Sequence, residues 1–117
     1  MTRKGYSQEY QVRKMLEDAY GKGNVIKTAS SQNIPDYIIF GHYLAFEVKS
    51  TVKKRLYLDK REIKQWHEIA KWADSTEAQV FYIVVYRRKP SNIIEKYTLD
   101  EFYKKFMPKK IKDGELK

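Results

Sequence analysis

Cysteine is absent from this chain of 117 residues, so neither a disulfide framework nor a thiolate metal site is open to it, as suits a reducing intracellular compartment. Long apolar runs are absent as well. The longest, residues 78–86, falls far short of the roughly 20 residues a membrane-spanning helix needs, which removes the membrane as a partner. The opening stretch MTRKGYSQEY lacks the apolar centre of a secretory signal, so a cytoplasmic location is expected. No repeat or linker divides the chain, and its length suits one domain over residues 1–117, with 107–117 as a polar, flexible tail.

Acidic charge is in short supply. Fifteen Asp and Glu face 24 Lys and Arg, a net charge of +9. Such an excess favours a polyanionic partner, most often nucleic acid, because each neutralised phosphate releases its counterions. A basic but merely soluble protein is the bland alternative.

What is present reads as alternating helices and strands. Val12, Met15, Leu16, Ala19 and Tyr20 form an apolar helical stripe within residues 6–20, with Ser7 as a candidate N-cap and the glycines of GKGN as the stop. Residues 24–29 suit a short strand, and SSQNIP a loop that Pro35 keeps from helix. DYIIF and YLAFEVKS follow as two strands around Gly41. Ile63, Trp66, Ile69, Ala70 and Ala73 mark a second amphipathic helix over 59–73, capped by Asp59. AQVFYIVVY reads as a strand covered on both faces, SNIIEKYTL as another strand and DEFYKKFM as a short helix. The order predicts an α/β fold, a central mixed sheet flanked by helices.

Two of these strands carry charge where apolar residues are expected. Alternation puts Glu47 and Lys49 on one face of their strand, roughly 6 to 7 Å apart. In a hairpin around Gly41, Asp36 and Glu47 fall at the same end of the pair. Glu9, Val12 and Leu16 follow i, i+3, i+7, so Glu9 lies on or beside the helical stripe and is expected to point at the strand carboxylates. Three converging carboxylates repel one another unless a cation sits between them, and hard divalent ions prefer oxygen ligands. A Mg²⁺ or Mn²⁺ site beside a lysine is therefore expected, suited to phosphodiester hydrolysis. The plain alternative for Glu47 and Lys49 is an ion pair on a solvated edge strand. His42 and His67 share no ligand spacing and are expected to be structural.

Pro35-Asp36 followed by Glu47-Val48-Lys49 resembles the PD-(D/E)xK nuclease superfamily. Over a longer span, RKG at 3–5 with Glu9, VIKTASS at 25–31, FEVKS and LYLDKREI resemble the archaeal-type Holliday junction resolvases, in unbroken order over roughly residues 3–88. The resemblance implies a restriction-endonuclease-like core and a Mg²⁺-dependent, structure-selective endonuclease, with Mn²⁺ substituting and no organic cofactor. It further implies a homodimer that nicks opposing strands of four-way DNA junctions, of archaeal or archaeal-virus origin. Glu9, Asp36, Glu47 and the main-chain carbonyl of Val48 would hold the metal, and Lys49 would be the catalytic lysine. Ser31, and second to it Ser30, would be the serine of the loop before the aspartate. Arg3, Lys4 and Lys27 match basic DNA-contacting positions. Tyr10 stands where relatives often carry Arg, so that phosphate contact is either missing or supplied by Arg13. Lys53, Lys54 and Arg55, following the catalytic strand, are expected on the DNA backbone. The family's helix glutamine falls in register on Glu62, with Gln65 one turn on. Trp72 is expected at the dimer interface. The alternatives are a related nuclease acting on flaps or other DNA, and a catalytically silent DNA-binding protein of the same fold.

Overall fold

In the computed structural model, which describes residues 4–29 and 33–112 and the side chains from Glu9 onward, the helices are α1 (Lys4–Tyr20), α2 (Lys60–Thr76), α3 (Leu99–Phe106) and α4 (Lys109–Lys112). The strands are β1 (Val25–Lys27), β2 (Tyr37–Ile39), β3 (Leu44–Thr51), β4 (Gln79–Tyr86) and β5 (Ile93–Thr98). They form one five-stranded sheet in the order β1-β2-β3-β4-β5, antiparallel except for the parallel pair β3 and β4. Parallel neighbours need a crossover connection, and α2 provides it.

α1 packs one face of the sheet through Val12 and Leu16, which join Tyr37, Ile39, Leu44, Phe46, Ile83 and Val85 in a buried cluster. The helix starts earlier than expected, at Lys4, so Ser7 lies inside it and is not its cap. Met15 is exposed, which leaves a narrower apolar stripe than the sequence suggested. The stop is as expected: Gly21 takes φ +98°, and the Asn24 side chain donates to the carbonyl of Tyr20 at 2.7 Å.

α2 and α3 cover the opposite face, where Ile69 and Ala73 pack with Ala45, Tyr82, Val84, Phe102 and Phe106. β4 is thus buried on both sides, as its unbroken apolar sequence requires. Asp59 caps α2 in a reciprocal box: the Glu62 N–H donates to Asp59 Oδ1 at 2.8 Å, and the Asp59 N–H donates to Glu62 Oε1 at 3.0 Å. Such a cap fixes where the first turn of α2 stands against β3. Beyond α3 the expected polar tail is partly structured, because Met107 and Ile111 are buried and α4 forms one helical turn. His42 lies edge-on to Tyr20 and His67 to Trp66, ring packing of the kind expected of structural histidines.

Candidate active site

The hairpin register decides the site. Tyr37 pairs with Phe46, so Asp36, one residue before β2, stands opposite Glu47. The two carboxylates are interlocked through the backbone. The Asp36 N–H donates to Glu47 Oε1 at 3.1 Å, and the Val48 N–H donates to Asp36 Oδ2 at 2.9 Å. Thr28 holds the approach, its N–H donating to the Asp36 carbonyl at 2.9 Å and its hydroxyl to the Pro35 carbonyl at 2.7 Å.

Alternation along β3 turns Leu44 and Phe46 toward α1, and Ala45, Glu47 and Lys49 toward α2. Glu47 is only 3% exposed and is the one buried charged residue among those described. Burial first, and then the charge of Asp36, push its carboxyl up to about 8, with Lys49 pulling the other way. A carboxylate so placed favours a nearby cation. The Lys49 ammonium supplies part of that charge, lying 3.5 Å from Glu47 Oε2. It also lies 3.7 Å from Glu62 Oε2 and donates a short hydrogen bond to Gln65 Oε1. Lys49 is therefore clamped between β3 and two side chains of α2. The Tyr82 hydroxyl, across from Glu47 in the sheet register, is buried without a hydrogen-bond partner. Burial and the negative charge of Glu47 keep that phenol protonated.

On the other face the arrangement is looser. Glu9 comes from α1, whose packing through Val12 and Leu16 places it on the side of the sheet away from Glu47. Its side chain is 54% exposed and meets Lys27, whose Nζ lies 3.9 Å from Glu9 Oε1. The same ammonium lies 4.0 Å from Asp36 Oδ1 and 5.3 Å from the centre of the Tyr37 ring. Asp36 and Glu47 thus form a close pair, while Glu9 stands behind Lys27. Among the described residues no three acidic or histidine side chains come close enough together to hold a metal ion. The expected triad of carboxylates is met as a pair plus one, because α1 and Glu47 approach from opposite faces. The pair still suits a hard divalent cation. It offers carboxylate oxygens beside the main chain of Val48, where burial and the neighbouring Asp36 make an ionised Glu47 costly without a cation beside it.

The remaining expected positions divide. Arg3, Ser30, Ser31 and the Lys4 side chain lie outside the described residues. Arg13 pairs with Glu17 at 3.2 Å on an exposed part of α1. Lys53 and Lys54 are exposed just beyond β3, with Lys53 lying over the Tyr57 ring. Arg55 is partly committed, donating to the Lys105 carbonyl at 2.8 Å and lying over the Phe106 ring. One residue was missed: Arg88 donates to the carbonyls of Lys53 at 2.8 Å and Val52 at 3.4 Å, tying down the basic loop. Nothing in the local sequence around Arg88 signals this.

A family model described as archaeal Holliday junction resolvase (hjc) matches residues 1–114. The chain belongs to the archaeal Holliday junction resolvase family. Comparison with curated proteins gave no match. Among solved structures, Hjc from the archaeal hyperthermophile Archaeoglobus fulgidus, a Holliday junction resolvase, aligns with a TM-score of 0.56. The two are 21% identical, and the alignment covers 79% of this chain and 74% of that one. The likeness supports the restriction-endonuclease-like fold of the five-stranded sheet and its flanking helices. As a resolvase-family chain, this is a DNA-binding nuclease of recombination and repair.

Proposed function

We propose that this resolvase cuts four-way DNA junctions by metal-assisted hydrolysis at the Asp36–Glu47 pair, with Mg²⁺ the natural ion and Mn²⁺ able to replace it. One observation carries the reading: a nearly fully buried glutamate, interlocked with an aspartate and touching a clamped lysine. Asp36, Glu47 and the Val48 carbonyl would hold the ion, with Glu9 as a further ligand. When bound, the ion supplies an activated water and stabilises charge on the phosphate. Lys49, fixed by Gln65 and Glu62, places its ammonium where it can orient the nucleophile or neutralise the phosphate undergoing attack. Ser31, with Ser30 second, would act from the loop before Asp36. The exposed Lys53 and Lys54, with Arg55, Arg3, Lys4, Arg13 and Lys27, would hold the DNA backbone, so junction shape rather than base sequence would select the substrate.

A symmetric junction cut in opposing strands calls for two equivalent sites, hence a homodimer. Exposed Phe40 and Tyr43 border an open apolar groove that Ile38, Trp72 and Ala78 help to line. That surface is the proposed dimer contact. The chain would act as a single nuclease domain in the cytoplasm. Consistent with that, no helix among the described residues is long and apolar enough to cross a membrane.

The test is a cleavage panel of synthetic four-way junction, flap and linear duplex, with Mg²⁺ and with chelator. Paired nicks in opposing strands of the junction, dependent on Mg²⁺ and sparing the duplex, are expected. Equal cutting of all three substrates would remove the junction selectivity, and cutting in chelator would remove the metal.

A further inference from the structure

Lys27 stands between the two carboxylates that do not otherwise meet. Its Cα is held by the sheet, since Lys27 pairs directly with Tyr37 in the β1–β2 register, one residue from Asp36. Its ammonium is shared between Glu9 at 3.9 Å and Asp36 at 4.0 Å, with the Tyr37 ring beneath it. These distances are at the long end for ion pairs. The Lys27 side chain is 36% exposed, and a pair so placed holds its partners weakly. Lys49, only 12% exposed and bonded to Gln65, cannot leave its carboxylate so readily.

We propose that Lys27 is an exchangeable counter-ion of the active site. It neutralises Glu9 and Asp36 while no divalent cation is present, gives way when one binds, and then serves the DNA phosphate. This rests on the metal-assisted reading above and extends it. A divalent cation entering beside Asp36 repels the ammonium and competes for the same oxygens. Displacing Lys27 frees Glu9 to join Asp36 at the ion. The displaced ammonium stays tethered to β1, beside the loop that leads to Asp36, and a phosphate there restores its charge pairing. Ion and DNA therefore help each other bind through this one side chain, and by linkage the help is reciprocal.

The experiment measures Ca²⁺ affinity by titration calorimetry, using the full chain alone and saturated with an uncut four-way junction. Wild type is compared with Lys27→Met and Lys27→Arg. Ca²⁺ is expected to bind the free Lys27→Met protein about tenfold more tightly than wild type, with Lys27→Arg close to wild type, because the charge is what competes. The gain in Ca²⁺ affinity on adding junction should shrink in Lys27→Met. Lys27→Gln serves as a second neutral variant should Lys27→Met fold poorly. Equal Ca²⁺ affinity in the free wild-type and neutral variants would overturn the exchange while leaving the nuclease site intact. Failure of Ca²⁺ to bind any of these proteins, with or without junction, would overturn the metal-assisted reading itself.

Discussion

Two lysines each sit between two acidic side chains in this molecule, one on either side of the same hairpin, and burial makes them different devices. Lys49 lies between Glu47 and Glu62 under the cover of α2, and a hydrogen bond to Gln65 fixes it further. Lys27 lies between Glu9 and Asp36 at the β1 edge, where all three side chains reach solvent. Removing a partner from a buried pair strands a charge away from water, whereas breaking an exposed pair returns both groups to solvent at little cost. The covered lysine is suited to hold still for chemistry, and the open one to move.

The sharpest way to break this comparison is to delete the covered pair. Lys49→Ala should slow single-turnover junction cutting by about 10² to 10³-fold, the usual loss when an oriented electrostatic group is removed. Glu47→Ala should cut no faster than that. Both should bind the junction nearly as wild type does in a gel-shift assay, because neither side chain lies on the exposed basic loop. Unchanged cutting would place the chemistry elsewhere.

Acid stability sharpens it next. In the folded chain the Glu47 carboxyl is raised from its ordinary 4.5 to about 8, so between those values the folded state holds a proton that the unfolded state has lost. Stability then falls as pH climbs through that window and levels off above about 8. The expected loss in chelator is on the order of a few kcal/mol, read as a falling denaturant midpoint between pH 5 and 8. Glu47→Gln should flatten the slope and be more stable than wild type at pH 8, though inactive. A divalent cation should flatten it as well. A slope that survives Glu47→Gln would assign the titration to another group.

How much of this was legible in the sequence follows the range of the interactions. The strands and the hairpin end shared by Asp36 and Glu47 depend on alternation and one glycine turn, which are local. The Asp59 cap is local too. The standing of Glu9 behind Lys27 was not legible, because helical spacing tells which residues share a face, not which face of the sheet the helix will cover. Val12 and Leu16 chose the face away from Glu47. Arg88 was unreadable for a similar reason: its partners are the main-chain carbonyls of Val52 and Lys53, some 35 residues earlier, which no side-chain pattern announces. The tail looked polar because, among its described residues, the buried side chains are just Met107 and Ile111.

The family's helix glutamine fell in register on Glu62 with Gln65 one turn on, and α2 brings both side chains to Lys49, since residues three apart share a helix face. They do not contribute equally. Glu62 Oε1 is already engaged by the Asp59 N–H in the capping box, leaving Oε2 at 3.7 Å from Lys49, a contact without a hydrogen bond. Gln65 makes the direct bond. Gln65→Leu, which keeps the bulk and removes the acceptor, should therefore slow cutting about tenfold, in line with the loss of one hydrogen bond to a charged group. Glu62→Gln can keep the cap through its amide oxygen and should cost about threefold or less, on the scale of a partly exposed ion pair. The double variant should show coupling, because both act through one ammonium. Single-turnover rates of the four proteins on a junction make the comparison, and a larger loss from Glu62→Gln than from Gln65→Leu would reverse the assignment.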